Sequence, residues 1–188
     1  MSYFIKVDGL EDLEKQEKWE EARSLLDDAW QEDKLNSDKL LRLLSECWYV
    51  LSLWDCCINT EKLSHQAFQD TLIECMNFGL LNLGNAPRFL CVAGDMASFL
   101  PYLFYNCGSG DLFVEWEQKG LEMLHKSTLL DPNDLLAKTL NLGTSAHSSE
   151  YASEYAEAKK RLSSQLSSLF PSETAIELYY KDILGHIH

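Results

Sequence analysis

The clearest pattern in the chain is the separation of apolar and acidic positions between residues 17 and 30. At about 100° per residue, six apolar side chains fall on one side of a helix: Trp19, Ala22, Leu25, Leu26, Ala29 and Trp30. Five carboxylates share an opposite arc of roughly 120°, and they are Glu17, Glu20, Glu21, Asp27 and Asp28. The pattern predicts an amphipathic helix with one face in a core and the other open to solvent or to a basic partner.

The rest of the chain predicts further helices and no strands, because period-two alternation and hairpin turn sequences are nearly absent. Capping residues, prolines and glycines set the expected boundaries, and a capping box of Asp8 and Glu11 is expected to start the first helix. The eight predicted helices cover about 8–33, 38–58, 63–83, 87–105, 111–130, 131–143, 151–169 and 171–185. The second is nearly apolar all round, which predicts a central position, and Pro101 is expected to kink the fourth. Short connections favour antiparallel neighbours in one domain over residues 1–188.

Charge narrows the range of partners. The chain carries 16 basic and 30 acidic side chains among 188 residues, a formal net charge of −14 at pH 7. Nucleic acids and anionic lipid surfaces are polyanions, so this charge argues against direct binding to either and favours a cationic partner. The alternative is that the acidity only keeps the protein soluble.

The cysteines indicate a compartment. All six lie inside apolar runs rather than in polar loops, as free thiols that pack as small apolar groups do. The sequence starts without the apolar run of a secretory signal, and the longest uncharged run, Met96–Gly110, is 15 residues long and contains Pro101. We therefore expect a cytoplasmic protein that has no membrane partner.

Candidate catalytic and metal-binding groups are sparse. Neither Cys-x-x-Cys nor His-Glu-x-x-His occurs, and the histidines are isolated or terminal. Cys107, beside Gly108-Ser109-Gly110, is the only thiol in a predicted loop, and no histidine lies near it in sequence to act as a base. Carboxylate pairs on a solvated helix face lack the burial that acid–base catalysis requires. The sequence therefore predicts no enzyme, no metal and no cofactor.

Two stretches resemble the tetratricopeptide repeat, in which small side chains let two helices approach and large ones fill the space between them. In the first helix the aromatic, small, large and small positions are taken by Trp19, Ala22, Leu26 and Ala29. In residues 116–133, Gly120 and Leu124 take a small and a large position, and Asp131-Pro132-Asn133 retains the repeat's ending. The resemblance implies an all-α fold of about eight antiparallel helices in an irregular tetratricopeptide-like array of helical hairpins.

Taken whole, the chain resembles immunity proteins of bacterial contact-dependent growth inhibition and of related polymorphic toxin systems. The resemblance lies in its size, its acidity, its lack of catalytic groups, and Tyr3-Phe4-Ile5 leading into residues 17–30. It implies a protein that binds a cognate toxin domain delivered by a neighbouring cell. Such a domain is often a nuclease with a basic substrate groove, and occlusion of that groove by one inhibitor molecule needs no chemistry.

On this hypothesis the first partner-binding surface consists of the five acids Glu17, Glu20, Glu21, Asp27 and Asp28. A second is predicted at Asp111, Glu115 and Trp116, because a partly exposed tryptophan beside carboxylates is typical of an interface anchor. Trp30 has similar neighbours, and for both tryptophans ordinary core packing is the alternative. The alternative function is a tetratricopeptide-like adaptor or secretion chaperone that holds a peptide in a concave groove, with the acidic face incidental.

Overall fold

Helices make up the regular structure of this chain. A computed structural model describes residues 2–54, 59–106, 113–145 and 149–185, and no strand occurs in those ranges, so the predicted all-α class is confirmed. The described helices are α1 Leu10–Lys15, α2 Trp19–Glu32, α3 Ser37–Ser52, α4 His65–Asn82, α5 Pro87–Phe99, a 3-10 helix Pro101–Phe104, α6 Phe113–Leu130, α7 Leu135–Ser145, α8 Ser149–Ser163, α9 Leu166–Leu169 and α10 Ala175–Gly185. None of them is both long and apolar enough to span a bilayer.

Local side-chain contacts explain several helix starts. The Asn36 side chain accepts hydrogen bonds from the backbone N–H groups of Asp38 and Lys39 at 3.1 and 3.2 Å, which caps α3. Ser64 caps α4 in the same way, and Asp134 accepts from two backbone N–H groups at the start of α7. Pro87 is the first residue of α5, where a missing N–H costs no helical hydrogen bond.

The predicted first helix is wrong in one respect, because it is two helices. The N-cap of α1 is Gly9, with a φ of 84° and no side-chain cap, rather than the Asp8 expected from a capping box. After α1 the Lys18 N–H bonds to the Leu13 carbonyl and the Glu17 N–H to the Glu14 carbonyl, both at 2.9 Å. This pair of bonds is a Schellman motif, and it places Glu17 in the left-handed region with a φ of 55°.

Other predicted boundaries shift. The fourth predicted helix ends at Phe99, and Pro101 starts a separate 3-10 helix instead of kinking a continuous one. The seventh predicted helix divides into α8 and α9, and α10 begins at Ala175, four residues after Pro171. The expected end of the second helix at residues 55–58 and the predicted loop at 107–110 lie outside the described residues.

Helix α3 lies at the centre, as its apolar sequence predicts. It packs against α2, α4, α5 and α10. Every residue from Leu40 to Trp48 is buried, including the charged Arg42 and Glu46. Successive helices also pack as neighbours, with contacts between α2 and α3, α3 and α4, α5 and α6, α6 and α7, and α7 and α8.

Glycines permit a close contact between the backbones of α5 and α6. A Cβ atom added to Gly94 of α5 would lie 2.9 Å from the Gly120 carbonyl oxygen of α6. A Cβ on Gly120 would lie 2.7 Å from the Gly94 carbonyl oxygen and would also collide with the Ser98 backbone. The backbones of α5 and α6 therefore touch, which any larger side chain at these two positions would prevent.

Residues 2–4, at the start of the described chain, contact α9 and α10. The Tyr3 N–H donates to the Leu169 carbonyl at 2.7 Å, and the Arg88 guanidinium donates to the Ser2 and Tyr3 carbonyls. The Phe4 ring stacks on Tyr180 of α10 at 6.1 Å between ring centroids. Residues 2–15 thus share a core with α3 and α10, a contact that a linear array of hairpins does not require.

Candidate partner-binding surface

Apart from Glu17, the apolar and acidic faces of α2 lie where the sequence pattern predicts them. Trp19, Ala22, Leu26 and Trp30 are buried. On the opposite arc Glu21 and Asp28 are exposed, and Glu20 and Asp27 are half-buried toward the neighbouring helix. The apolar stripe therefore fixes α2 to the body of the protein and leaves the carboxylates on the surface.

One cationic side chain, Arg23, connects this face of α2 to α4. The Arg23 guanidinium pairs with the Glu20 carboxylate and donates to the Thr71 hydroxyl at 3.1 Å. It also lies 5.6 Å from the centre of the Phe68 ring. The hydrogen bond that Arg23 donates to the Glu20 carboxylate raises the pKa of Arg23. The Lys18 ammonium lies 3.9 Å from Glu21, a weaker contact between exposed groups.

Glu17 contributes from a different position than predicted. It lies in the turn before α2 rather than on the helix, and it is exposed. The turn forms one wall of a cavity of about 370 Å³, which is lined by residues 16–21 and by Asn59, Glu61, Lys62 and Leu63. Four carboxylates (Glu17, Glu20, Glu21 and Glu61) and two ammonium groups (Lys18 and Lys62) line it, so the cavity carries net negative charge.

Glu61 is the one carboxylate of this cavity that sequence reasoning missed. It lies some forty positions from Glu21, in the segment that precedes α4, and no periodicity links it to α2. The Asn59 side chain accepts from the Glu61 N–H at 3.2 Å and shapes this short segment locally. Its approach to the α1–α2 turn comes from tertiary packing alone.

The second predicted surface is only partly retained. Asp111 lies outside the described residues, and Glu115 is exposed on α6. Trp116 is 1% exposed and its ring stacks on Phe104 at 5.6 Å between centroids, so a partly exposed anchor is the wrong expectation there. Trp30 is likewise buried, and its indole N–H donates to the Lys34 carbonyl at 3.1 Å. Both rings are core residues.

A group of acids inside the fold is separate from this surface. The buried Arg42 guanidinium lies 2.7 Å from a Glu14 carboxylate oxygen and 3.6 Å from Glu46. Burial raises the pKa of Glu46 well above its usual value, against the opposing effect of Arg42. The second Glu14 oxygen accepts from the Ala175 N–H at the start of α10. These contacts tie α1, α3 and α10 together.

Reactive groups are scarce in the described ranges. No group of three or more His, Cys, Asp or Glu side chains there could hold a metal ion. Cys47, Cys75 and Cys91 are buried free thiols, and burial raises their pKa values, which keeps them protonated at neutral pH. Cys107, the thiol singled out in the sequence, lies outside the described residues.

Comparisons with known proteins add no assignment to this geometry. No protein-family model, no curated protein and no solved structure matches the chain. The acidic face of α2 and the cavity at its start are the surface features from which a function can be inferred.

Proposed function

We propose that this chain is an immunity protein that binds a cognate basic toxin domain, a nuclease, and neutralises it by stoichiometric occlusion of its active-site groove. The observation that carries the proposal is the position of Glu17. A non-glycine residue in the left-handed region costs about 1–2 kcal/mol, and such residues cluster at binding and catalytic sites. Here the unfavourable backbone holds a carboxylate at the wall of an acid-lined cavity.

The charge distribution supports the same proposal. The exposed acids of α2 continue from the cavity along one helix face, through Glu21 to Asp28. A surface of this kind, on a chain with a net charge of −14, attracts a basic groove at long range and raises the association rate. Carboxylates on a rigid helix can then take the places of nucleic-acid phosphates.

The scaffold is suited to inhibition by occlusion. Arg23 and the buried face of α2 hold the carboxylates on a fixed helix, so few side chains must be ordered when a partner binds. The buried thiols fit a reducing cytoplasm, where a toxin delivered from a neighbouring cell would be met. We propose the tetratricopeptide-like arrangement for the helices, supported by the paired glycines where α5 and α6 touch.

A second candidate is the tetratricopeptide-like adaptor or secretion chaperone. It is favoured by a groove of about 600 Å³ between α6, α7 and the start of α8, whose lining includes Leu121, His125, Leu142 and Tyr151. An apolar peptide segment bound there would show little dependence on salt, whereas binding by the acidic face would weaken as salt screens the charges.

On this proposal a neighbouring gene encodes an exported toxin, and the toxin domain of that protein is the binding partner in the test. We expect Glu21→Lys with Asp28→Lys to weaken the complex by about 10–100-fold, mainly through a slower association rate. Glu117→Lys with Glu157→Lys is the matched control, because it makes the same change in net charge at exposed positions on α6 and α8.

Kinetic binding measurements at two salt concentrations distinguish the outcomes. A loss confined to the α2 variant supports the proposed surface. Equal losses in both variants would mean that total charge, not this face, governs binding. An unchanged affinity in both would contradict the acidic interface, and a toxin domain that fails to retain the chain would contradict the immunity function itself.

A further inference from the structure

Trp19, one of the residues that line the cavity beside Glu17, has a hydrogen-bond donor that the protein does not use. Trp19 lines the cavity and is 7% exposed, and its indole N–H has no hydrogen-bond partner. Its ring packs against Tyr49 at 5.8 Å between centroids, which holds it in place. Trp30, on the same helix, donates its own indole N–H to a backbone carbonyl, as buried tryptophans usually do. The Trp48 indole N–H is also unpaired, but Trp48 does not line this cavity.

An unused acceptor lies one residue further along. One Glu20 carboxylate oxygen pairs with Arg23, whereas the other is buried and has no partner. Glu20 also lines the cavity. A buried donor and a buried acceptor that both lack partners are unfavourable in the free protein, and a ligand with the complementary groups would remove both penalties.

The backbone at this place adds donors of the same kind. Helix α2 begins after Lys18 with no side-chain cap, so its first N–H groups receive no help from a capping oxygen. A carbonyl oxygen would complement these groups and the Trp19 indole. A cation would complement Glu20 and the carboxylates of Glu17, Glu21 and Glu61, which outnumber the ammonium groups of Lys18 and Lys62. A peptide residue with a basic side chain carries both a carbonyl and a cation.

We propose that this cavity is a specificity pocket for one arginine or lysine residue of a protein partner, whose main-chain carbonyl accepts from the Trp19 indole while its cationic side chain meets Glu20 and Glu61. The inference rests on the proposed function, because it takes the partner to be a basic protein. Its volume of about 370 Å³ falls in the range of small-molecule sites, roughly 300–1,000 Å³.

The direct test is titration of the ¹⁵N-labelled protein with N-acetyl-arginine amide, followed through the indole N–H resonances. Trp19→Phe assigns the resonance of Trp19, and the other four tryptophans are internal controls. We expect a saturable shift of the Trp19 signal with a dissociation constant on the order of 1–10 mM, typical of so small a ligand. N-acetyl-citrulline amide, which has nearly the same shape but no charge, should bind about tenfold more weakly.

Variants then separate the contributions of the carboxylates. Glu20→Gln and Glu61→Gln should each weaken arginine amide binding by about three- to tenfold, whereas Glu157→Gln, at an exposed position on α8, should leave it unchanged. A Trp19 signal that does not move with arginine amide, or that moves equally with citrulline amide, overturns the pocket.

The two proposals fail in distinguishable ways. If the toxin domain binds but arginine amide leaves Trp19 unmoved, the pocket is wrong and the immunity function stands. If arginine amide saturates the pocket but the toxin domain does not bind, the pocket stands and the toxin is the wrong partner.

Discussion

Glu17 is the one non-glycine residue with a positive φ in the described part of the chain. Its position at the end of a Schellman motif is one that glycine favours, because a Cβ atom there is crowded by the backbone. The helix-forming residues on both sides conceal this break from a periodicity argument. The carboxylate therefore stands where the local backbone favours glycine, and the proposed binding surface would give it a role there.

Glu17→Gly should make the protein more stable and its partner binding weaker. We expect the free energy of unfolding to rise by about 0.5–1 kcal/mol, since glycine adopts this φ without strain. Glu21→Gly removes the same charge from the first turn of α2, where a carboxylate favours the helix N-terminus and glycine weakens the helix, and should lower stability by a similar amount. Urea unfolding of both variants checks the signs, and destabilisation by Glu17→Gly would show that the turn is not strained.

Asp95 gives the fold a dependence on pH. Burial raises the pKa of this half-buried carboxyl to about 6, opposed by the hydrogen bond that the Tyr180 hydroxyl donates to it at 3.0 Å. The folded state binds this proton more tightly than the unfolded chain does, so protonation of Asp95 stabilises the fold. The full stabilisation is present below the unfolded pKa of about 3.9. It is lost as pH rises through about 6.

Asp95→Asn should remove this fall in stability with rising pH, and it keeps an oxygen that accepts the hydrogen bond from Tyr180. Between pH 4 and pH 7 the free energy of unfolding of the variant should rise by about 2 kcal/mol relative to that of the natural sequence. This value is discounted for the partial exposure of the residue. Urea unfolding at the two pH values measures it, with Asp12→Asn, at an exposed position on α1, as the control. Parallel pH profiles for Asp95→Asn and the natural sequence would contradict this role.

At the scale of elements, the contact between α5 and α6 depends on two glycines. Gly120, the small position in the tetratricopeptide resemblance, lies where the two backbones touch, and a Cβ there meets backbone atoms of Gly94 and Ser98. Backbone atoms cannot turn aside as the end of a flexible side chain can. The helices must separate to admit even a methyl group.

Gly120→Ala should therefore destabilise the protein by about 3 kcal/mol despite the higher helix propensity of alanine. Gly185→Ala is the matched control, because its Cβ would meet nothing closer than the Leu166 side chain at 3.7 Å. Urea denaturation should show a lower midpoint for the first variant and little change for the second. Equal midpoints would mean that the two helices can separate at little cost.

At the scale of the whole molecule, a buried cation joins segments that are distant in sequence. Arg42 of α3 contacts Glu14 of α1, and Glu14 in turn accepts from the Ala175 N–H, 161 positions away. Exposed Lys15 also bridges α1 to the segment before α10, by pairing with Glu11 and Glu173. Both bridges connect α1 to residues 173–175, but the first also includes α3 and is buried, whereas the second is exposed.

Arg42→Met should destabilise by about 3–5 kcal/mol, since it leaves the Glu14 carboxylate and neighbouring Glu46 in the interior without a cation. Lys15→Met should change stability little, because water screens an exposed pair. Thermal and urea unfolding measure both. A small effect of Arg42→Met would show that the buried acids take up protons at little cost and that Arg42 is not needed to hold them.

Properties of single helices were open to prediction from the sequence, because they arise from neighbours a few positions apart. The amphipathic face of α2, the apolar centre at α3, and the starts of α4 and α5 follow from periodicity, capping side chains and proline. The all-α class follows in the same way. The break at Glu17 is also local, but no residue type marks it, so the pattern predicted one continuous helix.

Only the tertiary structure decided which helix faces pack against each other. Glu61 lines the same cavity as the acids of α2, Trp116 is buried against Phe104, and Arg42 pairs with Glu14. These contacts exist because the helices pack in one arrangement among the many that the same apolar stripes permit. A stripe requires that a face be covered, but it does not say by which partner. The sequence by itself therefore determined the all-α class and an acidic helix. The packing of the segment before α4 against the start of that helix formed the cavity, whose lining residues include an unpaired donor and an unpaired acceptor.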